Sequence, residues 1–273
     1  MPSRRAYLAT LAAAGLAGCV DDTPGTDSES PTATTAPGTP SASGVTVEAA
    51  AVQYSYRHIE NVDWNGIQPA DGQFVFVTID AGPADTPPLP DAFSLVADGE
   101  QYQPVELAHD MPVDLDVPGE RYSDTDHRGW LVFETPAELD AAPTLRLDGE
   151  AGSWEWDLPT ERATAAPPEW EFSVDVPATV APESTFDITI TAENVGDGPG
   201  TFRGAVNFSY PMYMPRGFAI PLEGGASGAD FVEAEVGDAD SGKEIDYGVR
   251  TPVETRTVTV TVEGQTATAT DAD

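Results

Sequence analysis

Strict alternation of apolar and polar residues is the feature that most limits how this chain can fold. "RTVTVTVEG" sets Val258, Val260 and Val262 against Thr257, Thr259 and Thr261. "STFDITITAEN" sets Phe186, Ile188 and Ile190 against Asp187, Thr189 and Thr191. Successive side chains of a strand point to opposite faces, so a period of two makes one face for a core and one for water. "QFVFVTID" goes further, with Val75, Val77 and Ile79 on one face and Phe74 and Phe76 on the other, the mark of a strand covered on both sides. "SWEWDLP" places Trp154 and Trp156 together. Turn signals such as "ADGE", "VPGE" and "LDGEAG" separate these runs, and no long stretch holds a 3.6-residue apolar period.

The predicted fold class is therefore all-β. The polar break Pro159–Pro168 separates two halves of about seven short strands each, which suits two immunoglobulin-like antiparallel β-sandwiches in tandem, over residues 45–160 and 165–273. With no large apolar side chain between Leu158 and Trp170, few contacts are expected to cross that break. Neither half has paired cysteines, because the chain has one cysteine in all.

That cysteine, Cys19, lies in "SRRAYLATLAAAGLAGC". Arg4 and Arg5 precede a short apolar run, as in a twin-arginine export signal, and small residues lead directly into the thiol. The run is too short to span a bilayer, which takes roughly 20 residues. Residues 1–18 read as a lipoprotein signal peptide and Cys19 as the lipidation site, anchoring the chain to the outer face of the cell membrane; an ordinary secretory signal is the alternative. Residues 19–44 are rich in Ser, Thr, Pro and Gly and read as a disordered tether, a candidate for O-glycosylation, with a reach of roughly 25–30 Å.

Forty-seven acids against 12 bases give a net charge of −35, and losing Arg4 and Arg5 with the signal takes it to −37. Lys243 is the only lysine. Such a chain repels itself in dilute buffer, while molar salt shortens the Debye length to about 3 Å. Disorder is the other source of such charge, but 40% of residues are hydrophobic and well patterned, which points to a folded protein of a salt-loving archaeon. Nucleic acid is excluded as a partner for want of a basic patch.

Resemblance adds detail. Through "DGQFVFVTIDAG", "AFSLVADGEQYQP" and "GWLVFETPAE", residues 45–160 resemble the telokin-like, immunoglobulin-type domain of exported lipoproteins, although "IDAGPAD" stands where that family often carries Asn. Through "VPATVAPESTFDITITAENVGDGPGTF", residues 170–264 are similar to the cell-adhesion-related domain found in bacteria. These motifs specify strands and turns, and the resemblance implies no catalytic set.

The residues themselves offer few chemical constellations. No G-x-S-x-G elbow exists, and Ser227 sits in the Gly-rich "GGASGAD". His58, His109 and His127 each lie near acids and read first as surface histidines. Two oxygen-rich stretches are calcium candidates: Asp114, Asp116, Glu120, Asp124 and Asp126, and Asp238, Asp240 and Glu244 around Gly242. Neither has full EF-hand spacing, and solvated acidic loops are the plainer reading. His109 with Met111, and Met212 with Met214, have the soft character that suits Cu(I), against the plainer reading of Met as core filler. Asn207 heads an N-glycosylation sequon, "NFS", inside an expected strand. Trp64, Trp130, Trp154, Trp156 and Trp170 suit either a sugar-stacking platform or core anchors. Tyr210, Met212, Tyr213 and Met214 form the expected exposed contact patch. The expectation is a non-enzymatic, cofactor-free surface protein with a protein or glycan partner. The alternatives are an exported solute or metal carrier, calcium before copper, and an accessory subunit of a membrane complex.

Overall fold

Sixteen strands and no α-helix make up the computed structural model, which describes residues 44–150, 152–208, 214–237 and 240–264. The first half holds β1 (Thr46–Asn61), β2 (Trp64–Asp80), β3 (Phe93–Ala97), β4 (Glu100–Tyr102), β5 (Pro112–Val113), β6 (Arg128–Thr135), β7 (Thr144–Gly149) and β8 (Gly152–Asp157). The second holds β9 (Trp170–Asp175), β10 (Thr179–Val180), β11 (Thr185–Asn194), β12 (Gly200–Phe208), β13 (Arg216–Leu222), β14 (Ser227–Glu235), β15 (Glu244–Arg250) and β16 (Thr255–Val262). Sheets of order β5-β1-β2-β6 and β4-β3-β7-β8 form the first sandwich, and sheets β14-β11-β9 and β10-β16-β15-β12-β13 the second. Strand pairing is antiparallel, except that β10 runs parallel to β16.

The period of two places the cores. Val75, Val77 and Ile79 join Phe93, Leu95, Phe133 and Leu145 between the sheets of the first sandwich, with Trp154 and Trp156 packed against them. Ile188, Ile190, Val260 and Val262 join Phe202 and Tyr247 in the second. Each fully buried large side chain contributes roughly 1.5–3 kcal/mol, so either set suffices for its own core. Asp98 and Gly99 form the β3–β4 turn with φ of 52° and 81°, a left-handed pair that Asp-Gly takes up readily.

A third core lies on the far face of β2. Phe74, Phe76, Tyr56, Trp130, Val132 and Val117 are buried there, and Val105, Leu107 and Leu115 cover them. The covering residues come from the long stretch between β4 and β6, whose only regular strand is the two-residue β5 and which is tied to the sheet elsewhere by single backbone bonds such as Val105 N to Val132 O at 2.8 Å. Both faces of "QFVFVTID" are thus dry, as a strand apolar on both sides requires.

The expectation of few contacts between the halves does not hold. β1 and β2 are far longer than the mean strand of roughly 5–6 residues. Their register jumps between Gln53↔Phe74 and Ser55↔Pro69, leaving Ala70–Gln73 unpaired with β1, and such an irregularity bends a hairpin. Beyond the bend the hairpin becomes an arm that lies against β12 and β15 of the second sandwich. The break itself is packed. Leu158 and Ala163 are buried in the first core. The Ala163 carbonyl accepts bonds from Leu139 N at 2.9 Å and Gln73 Nε2 at 3.0 Å.

Candidate functional site at the junction of the two sandwiches

Two features occupy the arm. At its tip, the Asn207 carboxamide of β12 pairs reciprocally with the backbone of Asn65: Asn65 N donates to Oδ1 at 3.0 Å and Nδ2 donates to Asn65 O at 3.0 Å. Arg250 lies over the Trp64 ring, 5.2 Å from its centroid, and donates from Nη1 to Glu60 Oε1 at 2.5 Å. Nearby, Arg203 of β12 forms a buried ion pair with Asp116, whose backbone N donates to Gln53 Oε1 at 2.9 Å.

Between these ties sits His58, 2% exposed. Alternation along β1 carries it to the same side as Tyr56, its ring centroid 6.0 Å away. His109, from the β4–β6 stretch, stacks on it face to face, 3.5 Å between centroids and 4° between planes. The far edge of the His58 ring presses on Gly66, where any Cβ would collide with it, so only glycine fits there. Nε2 is 3.8 Å from Glu60 Oε1, too long for a hydrogen bond, and neither ring nitrogen has a hydrogen-bond partner. Burial above all, with His109 and then Arg250 adding to it against the pull of Glu60, pushes the His58 pKa down to about 4. The imidazole is therefore neutral near pH 7, with its lone pair available.

His109 and Met111 also line a cleft of about 660 Å³ floored by Leu107, Val117 and Trp130. Met111 is 51% exposed, and its carbonyl accepts Ile59 N at 3.0 Å, which pins this segment to the edge of β1.

The calcium candidates are dispersed. Asp114 bonds Arg57, Asp116 is taken by Arg203, and Glu120 lies exposed at the cleft. Asp124 and Asp126 belong to an exposed turn in which Ser123 Oγ accepts Asp126 N at 3.0 Å. Asp240 is fully buried and organises its own loop, accepting Gly237 N at 2.9 Å and Lys243 Nζ at 3.5 Å, while Glu244 is exposed. Among the described residues no three His, Cys, Asp or Glu side chains converge as a metal-binding group. Arginine, scarce in this chain, has taken Asp114 and Asp116 out of the first group.

The Asn207 sequon is corrected. Its side chain is 2% exposed with both polar atoms bonded to Asn65, so the folded chain has no room for a glycan there. The five tryptophans do not form one platform: Trp130 lies in the third core, Trp154 and Trp156 against the first, Trp170 against the second, and Trp64 beneath Arg250. Met214 is 39% exposed. Tyr210, Met212, Tyr213, Asp238, Arg4, Arg5 and Cys19 lie outside the described residues. Sequence reasoning missed the His58–His109 pair, whose sole trace was that both are among three histidines in the chain.

No family model matches the chain, and no curated protein matches it. Solved structures do. A β-glucosidase from Listeria innocua in complex with isofagomine is 17% identical over 36% of this chain, with a TM-score of 0.29. The chain spans 16% of that enzyme's length. The alkylpurine DNA glycosylase AlkC of Pseudomonas fluorescens, bound to DNA containing an abasic site analog, is 16% identical over 36% of this chain and 31% of its own, with a TM-score of 0.27. A tandem of titin Ig domains is 13% identical over 70% of this chain and 87% of its own, with a TM-score of 0.19. Similarity this loose carries no argument about activity. The chain is an all-β protein of two antiparallel sandwiches in tandem, joined through the β1–β2 arm.

Proposed function

We propose that this chain is a non-catalytic binding protein of the cell surface, exported through its Arg4–Arg5 signal and held to the membrane by lipid on Cys19. In this reading the two sandwiches, taken from their strand and turn motifs as telokin-like and cell-adhesion-related domains, present one surface to a protein or glycan partner in a high-salt setting. The observation that supports it is the junction. The buried Asp116–Arg203 pair and the reciprocal Asn65–Asn207 bonds tie the halves together, and a presenting module needs that fixed geometry more than a flexible string does. Membrane fractionation of Cys19→Ser tests the anchoring on which the reading depends. The variant should move from the membrane fraction into the medium; a variant that stays membrane-bound as firmly as the parent contradicts it.

A further inference from the structure

We propose that the free edge of β14 is a self-association site, at which a second copy of this chain adds its own β14 antiparallel about a two-fold axis through Phe231. The interface goes beyond the surface-binding reading and does not depend on it.

β14 pairs with β11 along its whole length, Ser227 to Glu235, and among the described residues no strand lies on its other side. Asn194 N donates to Ala226 O at 2.9 Å at one end of this ladder, and Val236 N donates to Ser184 O at 3.0 Å at the other. Antiparallel bonding alternates along a strand, so the even-numbered residues of β14 face β11. Ser227, Ala229, Phe231, Glu233 and Glu235 therefore turn their N–H and C=O groups to the open edge. Phe231 N, with no strand beside it, donates to the Asp230 carboxylate at 2.8 Å. Natural sheets blunt such edges with proline, lysine, a bulge or a cover. Edge strand β13 carries Pro221, and on edge strand β9 the Phe172 carbonyl accepts Arg256 Nη1 at 3.2 Å. β14 has no proline, lysine or bulge. At its centre Phe231 is 62% exposed, the one aromatic among the large exposed apolar side chains of the described residues.

Charge along the strand selects a second copy as the partner. An axis through Phe231 sets that residue opposite its counterpart, Ala229 opposite Glu233 of the second copy, and Ser227 opposite its Glu235. On the inner face Asp230 falls opposite Val232, so no two carboxylates meet. Two chains of charge −35 need that arrangement, because like charges directly opposite each other destabilise a ladder. Moving the axis to Asp230 or Glu233 opposes like carboxylates, and moving it to Val232 sets Phe231 against Glu233. In the Phe231 register the open N–H and C=O groups of both strands bond each other. The two exposed rings then pair on the solvent face, which gains beyond the area they bury. The interface is one strand wide, so the dimer is weak and needs both concentration and salt.

Sedimentation equilibrium in molar KCl tests this, on the full chain carrying Cys19→Ser so that no disulfide links two copies. Between about 5 and about 500 µM the parent should pass from monomer to dimer and go no further. Phe231→Thr, an exposed change that keeps strand preference, should weaken association by at least ~10-fold while melting as the parent does. Ala229→Glu should weaken it and Ala229→Lys should tighten it, each by roughly 3–10-fold, because the new charge faces Glu233 of the second copy. A monomer throughout the range, a dimer unmoved by Phe231→Thr, or the two Ala229 variants moving in the same direction would each overturn the proposal.

Discussion

Asn207, which grips the tip of the arm from β12, and His58, within the arm, are equally buried and could hardly be treated more differently. Every polar atom of the Asn207 carboxamide is bonded to Asn65, whereas neither nitrogen of His58 is bonded to anything. A satisfied buried amide fixes one arrangement of two surfaces. An unsatisfied imidazole destabilises the fold in which it sits and is informative for that reason. The first residue therefore holds the arm in place, whereas the second is an unmet polar cost inside it.

Substitution separates the two. Asn207→Ala strands Asn65 N and Asn65 O in a buried contact, and each unpaired group costs about 1–3 kcal/mol, so unfolding in molar KCl should require about 2–5 kcal/mol less free energy. A loss under about 0.5 kcal/mol in denaturant titration would mean the arm does not hold the halves together.

The corresponding change at His58 should be mild at neutral pH and opposite in its pH response. An unfolded histidine keeps its ordinary pKa of 6.5, but folded His58 protonates only near 4. Between those values the unfolded chain carries the extra proton. Stability involving His58 is therefore full above about pH 6.5 and falls as pH drops towards 4, by up to about 3 kcal/mol. Carboxylates throughout the chain also titrate there, so the parent is best compared with His58→Phe. The variant should be as stable as the parent at pH 7 and more stable than it near pH 4.5. Equal pH slopes for both would mean that burial does not shift the titration of His58.

What could be read from sequence divides along the same line. Phe74 to Ile79, Phe186 to Ile190 and Val258 to Val262 announced their strands because each faces a core with a fixed period, and Asp98-Gly99 announced its turn through backbone freedom. These are local signals. The junction depends on residues far apart in the chain, Asp116 with Arg203 and Asn65 with Asn207. No period links them. His58 and Tyr56 sit in the distal part of β1, where "QYSYRHIEN" mixes aromatic and polar residues that suit an edge as well as a buried arm. The stretch between β4 and β6 covers the third core with almost no regular structure, so its apolar residues carried no pattern. Acidic clusters were legible but misleading, since proximity in sequence says nothing about which carboxylate an arginine from the other half will claim.

The central claim is that the arm makes the two sandwiches one cooperative body. Differential scanning calorimetry of residues 44–264 in molar KCl tests it most directly. The account predicts a single transition whose calorimetric and van't Hoff enthalpies agree. Two resolved transitions, with Asn207→Ala moving neither of them, would contradict it.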